Sequence, residues 1–280
     1  MPHHETFHET HDGKKLYLQA WEPEKDRKAA ILLVHGVGEH SGRYAHFAQK
    51  MNENGYAVYT FDGRGHGKSS LPKPTAYIEN LEDYIKDTDT LYKKMKSYVG
   101  DIPCFIYGHS MGGGIVTYYA LTYQPEVTGI LLSGALLLPG DDVSPLLIKI
   151  SSILSRITPK LPALKVDSTH LSHDPELMVK YDTDPLVYRK GIPARTGAEL
   201  LKMIRSIGQD VHQFNYPVLI MHGTDDRLTN LEGSKMLYEK AASSDKTLKL
   251  YEGLYHEIIN EVEKEMVMED MIGWIEEQIK

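Results

Sequence analysis

Two kinds of hydrophobic pattern take turns along the chain. Short apolar and β-branched runs are each followed within two residues by glycine, and between them lie longer stretches with apolar residues at helical spacing. This alternation is typical of a mostly parallel sheet flanked by helices, an α/β architecture. The runs predict strands at Ala30–Val34, Ala57–Phe61, Cys104–Tyr107, Gly129–Leu132, Val218–Met221 and Thr247–Tyr251, with an antiparallel edge strand at Leu16–Trp21. The longer stretches predict helices at Tyr44–Asn54, Leu81–Tyr98, Met111–Tyr123, Gly233–Ala242 and Val262–Ile279.

The pattern breaks between Pro139 and Tyr216. Six prolines punctuate short helical patterns in this stretch, and no regular strand–helix alternation is visible. We interpret residues 139–216 as a helical cap inserted into a core that residues 1–138 and 217–280 form together.

Composition and charge narrow the class of protein. The chain has 280 residues, of which 41% are hydrophobic and 25% charged, so we expect a folded globular protein. Its 31 basic and 39 acidic residues give a net charge of −8, which argues against a nucleic-acid partner. A single cysteine, Cys104, forms no internal disulfide and no cysteine-rich zinc site.

The expected compartment follows from the same inventory. One cysteine fits a reducing environment. The polar segment Met1–Thr10 has no basic stretch followed by an apolar core, so we predict no signal peptide, and no apolar run reaches the length of a membrane span. We therefore expect a cytoplasmic protein.

The clearest catalytic signal is the sequence Gly-His-Ser-Met-Gly at residues 108–112. It directly follows the predicted strand Cys104–Tyr107 and precedes a predicted helix, which is the context of a nucleophile elbow. Because the motif alone arises readily by chance, this context carries the inference. A serine on such a turn projects its hydroxyl from the sheet, and the flanking glycines leave room for it. Ser110 is the predicted nucleophile.

A serine hydroxyl needs a histidine to take its proton and a carboxylate to orient that histidine. Asp225 and Asp226 follow the strand Val218–Met221, and His256 follows the last predicted strand. Spacing alone does not choose between the two aspartates. The chain order Ser, Asp, His is that of an α/β-hydrolase, so the fold class becomes an α/β-hydrolase with an inserted cap.

Fourteen histidines compete for the role of base, and position separates them. Four lie in the polar amino-terminal arm, where weak metal affinity or no role is expected: His3, His4, His8 and His11. His35 and His222 end strands before a glycine and are interpreted as structural. His109 adjoins the nucleophile but should point in another direction on the turn. His256 is the predicted base.

Two backbone N–H groups are needed for an oxyanion hole. Met111, which follows the nucleophile, should supply one of them. The loop His35–Gly38 follows the first central strand, and its glycines free the backbone to approach a substrate, so Val37 is the second candidate. The alternative interpretation of this loop is an ordinary glycine turn.

Along nearly its whole length, the chain resembles the monoacylglycerol lipase family of α/β-hydrolases. The resemblance rests on His-Gly-Val-Gly-Glu-His-Ser-Gly-Arg-Tyr at residues 35–44, Phe-Asp-Gly-Arg-Gly-His-Gly-Lys-Ser at residues 61–69, and Gly-His-Ser-Met-Gly-Gly at residues 108–113. It implies that the acid is the aspartate of the Gly-x-x-Asp-Arg-Leu stretch, which is Asp226. It also implies that the base is the histidine of the Tyr-Glu-Gly-x-Tyr-His stretch, His256.

The resemblance further implies a pocket for the alcohol. Residues that match Glu39, Arg43 and Tyr181 lie near its glycerol-binding end in the family. This chain departs from the mammalian enzymes three residues after His256, where it has Ile259 instead of a histidine. We therefore expect polar recognition to differ at that point.

Within the predicted cap, one segment has an apolar and a basic side. Apolar residues recur at helical spacing between Leu146 and Ile157, while Lys149 and Arg156 lie on the other side. One interpretation is a helix that packs on the core. The other is a lid over an acyl tunnel that also touches a lipid surface, giving peripheral membrane contact.

The expected reaction is hydrolysis of a monoacylglycerol to glycerol and a free fatty acid through an acyl-enzyme on Ser110. No metal and no organic cofactor are implied. The alternative is a general carboxylesterase or lysophospholipase with the same triad. A lipid-binding protein that retains the fold without activity is a further alternative.

Overall fold

Eight strands form one mixed sheet: β1 His3–Glu9, β2 Lys15–Trp21, β3 Ala29–Val34, β4 Tyr56–Phe61, β5 Cys104–His109, β6 Gly129–Ser133, β9 Val218–Gly223 and β10 Lys246–Tyr251. Their order across the sheet is β1-β2-β4-β3-β5-β6-β9-β10. The computed structural model describes residues 2–24, 26–139, 154–165 and 167–280. Pairing from β4 to β10 across the sheet is parallel, whereas β1 and β2 join as an antiparallel edge. The α/β-hydrolase fold and all seven predicted strands are confirmed. The two remaining strands, β7 Pro162–Leu164 and β8 Ile192–Pro193, form a separate antiparallel pair.

The central strands are buried on both faces. Every residue of β3, β5, β6 and β9 is buried. Strands covered by helices on both sides read as continuous apolar runs, which is why the sequence predicted them. Alternate side chains enter two apolar clusters, one on each face: Leu32, Ile106, Leu132 and Ile220 on one side, and Ile31, Phe105, Leu131 and Leu219 on the other.

Helices cover both faces, and the five predicted ones are confirmed with ends shifted by up to two residues. The helices are α1 Ala45–Glu53, α2 Leu81–Val99, α3 Met111–Tyr123, α4 Pro175–Thr183, α5 Ala194–Asp210, α6 Leu231–Lys240 and α7 Lys264–Gln278. Helices α2 and α3 contribute to the first apolar cluster, and α1 and α7 contribute to the second.

Strand β1 is an element that the sequence did not predict. It pairs along its length with β2, from His3 opposite Trp21 to Glu9 opposite Lys15. Phe7 is its only apolar residue, and most of the strand is exposed, so it carries no alternating pattern. Backbone pairing with the edge of β2 forms this strand.

Part of the predicted cap lies outside the described residues. Residues 154–157 are helical, but the preceding part of the predicted helix from Leu146 to Ile157 falls within residues 140–153, which are not described. Helix α4 begins after Asp174, whose carboxylate accepts the N–H groups of Glu176 and Leu177. Helix α5 buries Leu200, Met203 and Ile207 in the same apolar cluster as α3.

Within the described ranges, no helix combines the length and the apolar composition that crossing a bilayer requires.

Candidate active site

Ser110 lies at the junction of β5 and α3 with a strained backbone. Its φ is 55° and its ψ is −121°, a conformation that costs a non-glycine residue about 1–3 kcal/mol. Its N–H donates to the Ser133 carbonyl at 3.0 Å, and its own carbonyl accepts the Leu136 N–H at 2.9 Å. A Cβ on Gly112 would lie 2.0 Å from the Val34 carbonyl oxygen, so only glycine allows α3 to begin this close to β3. The predicted elbow therefore has both its turn and its tight packing.

An acid–histidine pair is formed by residues that follow the neighbouring strands β9 and β10. Nδ1 of His256 is 2.7 Å from Oδ2 of Asp226, and the side chain of Asp226 has no exposed surface. The neighbouring residue Asp225 is exposed, and its carboxylate meets only the hydroxyl of Thr224 at 3.5 Å among the described residues. Geometry therefore brings Asp226, and not Asp225, to His256.

The two groups of the pair shift each other's pKa. Burial raises the pKa of Asp226, but the charge of His256 and hydrogen bonds from His222 and His256 outweigh burial and hold it well below the usual range. Burial lowers the pKa of His256, but the Asp226 carboxylate outweighs this and raises it above the ordinary value of 6.5. The pair therefore favours a carboxylate beside a histidine that readily holds a proton.

His222 contacts the acid directly, although the sequence suggested only a structural role for it. Its Nε2 is 3.1 Å from Oδ2 of Asp226, and its Nδ1 is 2.8 Å from Oγ of Ser234. A carboxylate accepts only, so Nε2 of His222 carries a proton and donates a hydrogen bond to Asp226. Thr229 donates its hydroxyl to the same carboxylate oxygen at 2.8 Å. In the sequence, His222 stands before a glycine, and this position does not indicate its contact with Asp226.

Ser110 and His256 both pack against the turn at residues 133–136. The turn holds Ser110 through the two backbone bonds given above. A Cβ on Gly134 would lie 3.0 Å from Nδ1 of His256. His109 lies beside His256, with its ring 4.7 Å from that of His256, and its Nδ1 is 2.9 Å from Oγ of Ser133. Burial, followed by the proximity of His256, lowers the pKa of His109 to about 4, so its ring is neutral.

The loop that carries Val37 lies against the nucleophile. A Cβ on Gly36 would be 3.1 Å from Cβ of Ser110, and the Gly36 N–H donates to Glu39 at 2.6 Å. Met111 is the first residue of α3, where N–H groups have no acceptor within the helix. Within the described ranges, neither the Val37 nor the Met111 N–H has an acceptor. Both amides are thus free to donate.

A buried ion-pair network joins the three residues that the resemblance assigned to the alcohol pocket. Arg43 donates to Glu39 at 2.7 Å and makes a bidentate pair with Glu257 at 2.7 and 2.6 Å. The ring of Tyr181 lies 4.9 Å from the guanidinium carbon of Arg43, and Tyr44 donates to Glu39 at 2.7 Å. Burial raises the pKa of Glu39, but Arg43 outweighs it and leaves this pKa below its usual range.

Two cavities flank this network. One of about 590 Å³ is lined by Arg43, Tyr181 and His40, and another of about 200 Å³ is lined by Val37, Tyr181 and Tyr188. Tyr181 therefore borders both cavities.

Glu257 was not predicted from the sequence. The sequence offered one indication of its role, because Glu257 directly follows the predicted base His256. Its partner Arg43 is 214 positions away, so only the fold reveals the pair.

Comparisons with known proteins show the family to which this chain belongs. The family model Hydrolase_4, described as serine aminopeptidase S33, matches residues 25–263. Monoacylglycerol lipase from Mycolicibacterium smegmatis is 36% identical over 263 residues, which cover 94% of this chain and 93% of that protein. Monoglyceride lipase from Mus musculus is 31% identical, with coverage of 96% of this chain and 89% of that protein. A crystal structure of a soluble variant of monoglyceride lipase from Saccharomyces cerevisiae, in complex with a substrate analogue, has a TM-score of 0.88 and 25% identity, covering 98% of this chain and 94% of the other.

Proposed function

The chain belongs to the serine aminopeptidase S33 family, with monoacylglycerol lipases among its relatives, and on this premise we propose that it hydrolyses monoacylglycerols to glycerol and a free fatty acid. It is a serine hydrolase with an α/β-hydrolase fold. The resemblance inferred from the sequence is confirmed. The observation that best supports the proposed chemistry is the 2.7 Å bond between His256 and the fully buried Asp226, on the turn that also holds Ser110.

The first half of the proposed reaction forms an acyl-enzyme. His256 takes the proton of Ser110 as the serine oxygen attacks the ester carbonyl. Asp226 stabilises the imidazolium, which fits the raised pKa of His256. The N–H groups of Val37 and Met111 donate to the oxyanion, and their lack of acceptors within the described ranges supports this role. His256 then gives its proton to the departing glycerol.

The second half releases the fatty acid. A water molecule gives a proton to His256 and attacks the acyl carbonyl, the same amides hold the second oxyanion, and the proton returns to Ser110. All proton transfers pass through His256, and no step calls for a cofactor.

Glu39, Arg43 and Tyr181 form the proposed glycerol end of the pocket. Both oxygens of Glu39 accept from protein donors, and Arg43 holds two carboxylates. In this proposal, the network shapes a rigid polar wall, and Tyr181 borders both adjoining cavities. The proposed cap spans residues 139–216.

The test is a comparison of substrates with a nucleophile variant as control. We expect fatty-acid release from monoacylglycerols to exceed that from matched di- and triacylglycerols and lysophospholipids. In Ser110→Ala, turnover should fall by three or more orders of magnitude, because triad members act as a unit. Equal action on unrelated small esters would favour the carboxylesterase alternative, and near-wild-type activity in Ser110→Ala would refute the proposed nucleophile.

We also propose that the cap contacts a lipid surface. Ile157 is 73% exposed, Leu161 and Leu164 are also exposed, and Lys160 lies among them. Exposed apolar residues beside basic ones are the combination that binds the interface of a bilayer. Ile157→Asp should reduce co-sedimentation with anionic phospholipid vesicles, whereas Val262→Asp, at an equally exposed position outside the cap, should not. Equal binding by both variants and the wild type would rule out this contact.

A further inference from the structure

The backbone around His256 is held by contacts with Glu261 and with a segment of the predicted cap. Three successive N–H groups donate in these contacts: Tyr255 to Oε1 of Glu261 at 2.8 Å, His256 to the His170 carbonyl at 3.4 Å, and Glu257 to the Leu171 carbonyl at 2.8 Å. His170 and Leu171 belong to the predicted cap. The main chain that carries the proposed base is therefore fastened to the cap segment before α4.

Glu261 joins the two segments. Its side chain has no exposed surface, and each carboxylate oxygen has two partners. Oε1 accepts the Tyr255 N–H and lies 3.0 Å from Nδ1 of His173. Oε2 accepts the His173 N–H and the Ser172 hydroxyl, each at 2.8 Å. A fully buried carboxylate is costly unless its hydrogen bonds are satisfied, and here all four contacts go to just two loops.

Aromatic stacking reinforces the same junction. The ring of His173 lies 3.7 Å from that of Tyr255, with 29° between the planes. Because Nδ1 of His173 faces a carboxylate, this nitrogen carries a proton. His173 therefore contacts both Glu261 and the residue that precedes the base.

We propose that Glu261 is a positioning residue for the reaction: its carboxylate clamps the cap segment at residues 170–173 to the loop of His256 and so keeps the imidazole aligned with Asp226. The inference rests on the proposed function of His256. Glu261 acts through Tyr255 and the cap segment and does not touch the reacting atoms. The cap and the base thereby become one mechanical unit, so displacement of the cap segment moves the base.

The test uses Glu261→Gln, which keeps the shape of the side chain but offers fewer acceptors to the four donors. We expect kcat on monoacylglycerols to fall by about 10- to 100-fold, since a misplacement of about 1 Å costs that much, while KM stays within about threefold. Glu263→Gln removes the same charge from an exposed position two residues away and should behave like the wild type.

A spectroscopic measurement separates positioning from general destabilisation. The downfield proton NMR signal of the His256–Asp226 hydrogen bond, assigned by its loss in Asp226→Asn, should broaden or shift in Glu261→Gln at a temperature where the variant is folded. An unchanged signal together with wild-type kcat would overturn the proposal.

His173→Phe provides a second variant if Glu261→Gln fails to fold. It keeps a ring against Tyr255 but removes one donor to Glu261, at a side chain that is 45% exposed. We expect a several-fold fall in kcat with an altered His256 signal, and wild-type values of both would overturn the proposal.

Labelling of Ser110 by a fluorophosphonate distinguishes this inference from the proposed function. Its rate depends on alignment of the triad and not on the alcohol of the substrate. Wild-type protein that is labelled but does not hydrolyse monoacylglycerol would refute the substrate, whereas equal labelling rates in wild type and Glu261→Gln would refute the positioning role.

Discussion

At the scale of single residues, Asp226 shows how much support a buried charge needs. Oδ2 meets His256, His222 and the Thr229 hydroxyl, and Oδ1 accepts the N–H groups of Leu228 and Thr229. Taking a carboxylate out of water costs several kcal/mol unless such partners replace the lost solvent. Here they do so well enough to hold its pKa below the usual range despite burial. Asp226 therefore keeps its negative charge beside His256 at neutral pH.

Replacing that charge should change both the rate and the pH profile. A base works in its deprotonated form, so kcat/KM falls as the pH drops through the pKa of His256, which Asp226 raises above 6.5. In Asp226→Asn we expect kcat to fall by on the order of 10⁴-fold. The acid limb of the profile should also move to lower pH, because the raising charge is gone.

Asp225→Asn is the matched control for this measurement. It makes the same substitution one residue earlier, where the carboxylate is exposed and lies away from His256. Its pH–rate profile should overlay that of the wild type. An equal loss in both variants would contradict the assignment of Asp226 as the acid.

The limits of sequence reasoning at this scale are physical. Spacing left Asp225 and Asp226 equivalent, because both lie in the loop after the same strand, and only the resemblance chose between them. Ser110 was predictable because its strand, turn and helix are local. The contacts of Glu257 with Arg43 and of Glu261 with Ser172 join distant segments, and no local pattern encodes them. His222 is only four positions from Asp226, but its place before a glycine does not indicate that contact.

At the scale of elements, close approach of α3 to β3 depends on a missing side chain. A Cβ on Gly112 would meet the Val34 backbone at 2.0 Å, and a backbone carbonyl of a central strand has little freedom to move. Gly112→Ala should lower the free energy of unfolding by about 1–3 kcal/mol or more, as overpacking does. Urea denaturation followed by circular dichroism measures this change.

Gly208→Ala supplies the opposite expectation within another helix. Gly208 lies inside α5, and apart from the backbone of its own helix, nothing in the described structure lies within 4 Å of its added Cβ. Alanine should raise the free energy of unfolding by about 0.5–1 kcal/mol, because glycine loses more backbone entropy on folding. If the two variants were equally stable, steric contact at Gly112 would not explain its need for glycine.

Elements were predictable where packing is two-sided. β3, β5, β6 and β9 are buried throughout and read as uninterrupted apolar runs. Helix α5 was harder, because its stretch lies within residues 139–216, the proline-punctuated region that we assigned to the cap. Its apolar face nevertheless joins the cluster of α3, and only tertiary contact reveals that.

At the scale of the whole molecule, the sheet gathers the proposed site at one end of its strands. Ser110 follows β5, the loop of Val37 follows β3, Asp226 follows β9 and His256 follows β10. The carboxyl ends of parallel strands lie at one end of the sheet, which brings together the loops that carry Ser110 and His256 of the proposed triad, although these residues are 146 positions apart. This gathering explains why motif order along the chain predicted the fold.

Strand β1 forms the outer edge of the sheet, and its removal should weaken the fold. β1 covers the edge of β2, where His3 stacks on Trp21 at 4.8 Å and Phe7 meets Tyr17 at 5.6 Å. Removing residues 2–9 should lower the melting temperature by about 5–10 °C, which corresponds to a few kcal/mol for a chain of this size. It also exposes an unpaired strand edge, so light scattering should detect association.

Activity should survive this deletion. Three strands separate β1 from β5, which precedes Ser110. The contacts of His256 come from the loop after β9, from His109 and Gly134, and from the cap segment. We therefore expect kcat per folded molecule, titrated by fluorophosphonate, to stay within about twofold of wild type, since distant sites act almost independently. A large loss of kcat in soluble, folded protein would mean that the amino-terminal strand is coupled to the site, contrary to the separation of edge and centre that the sheet order implies.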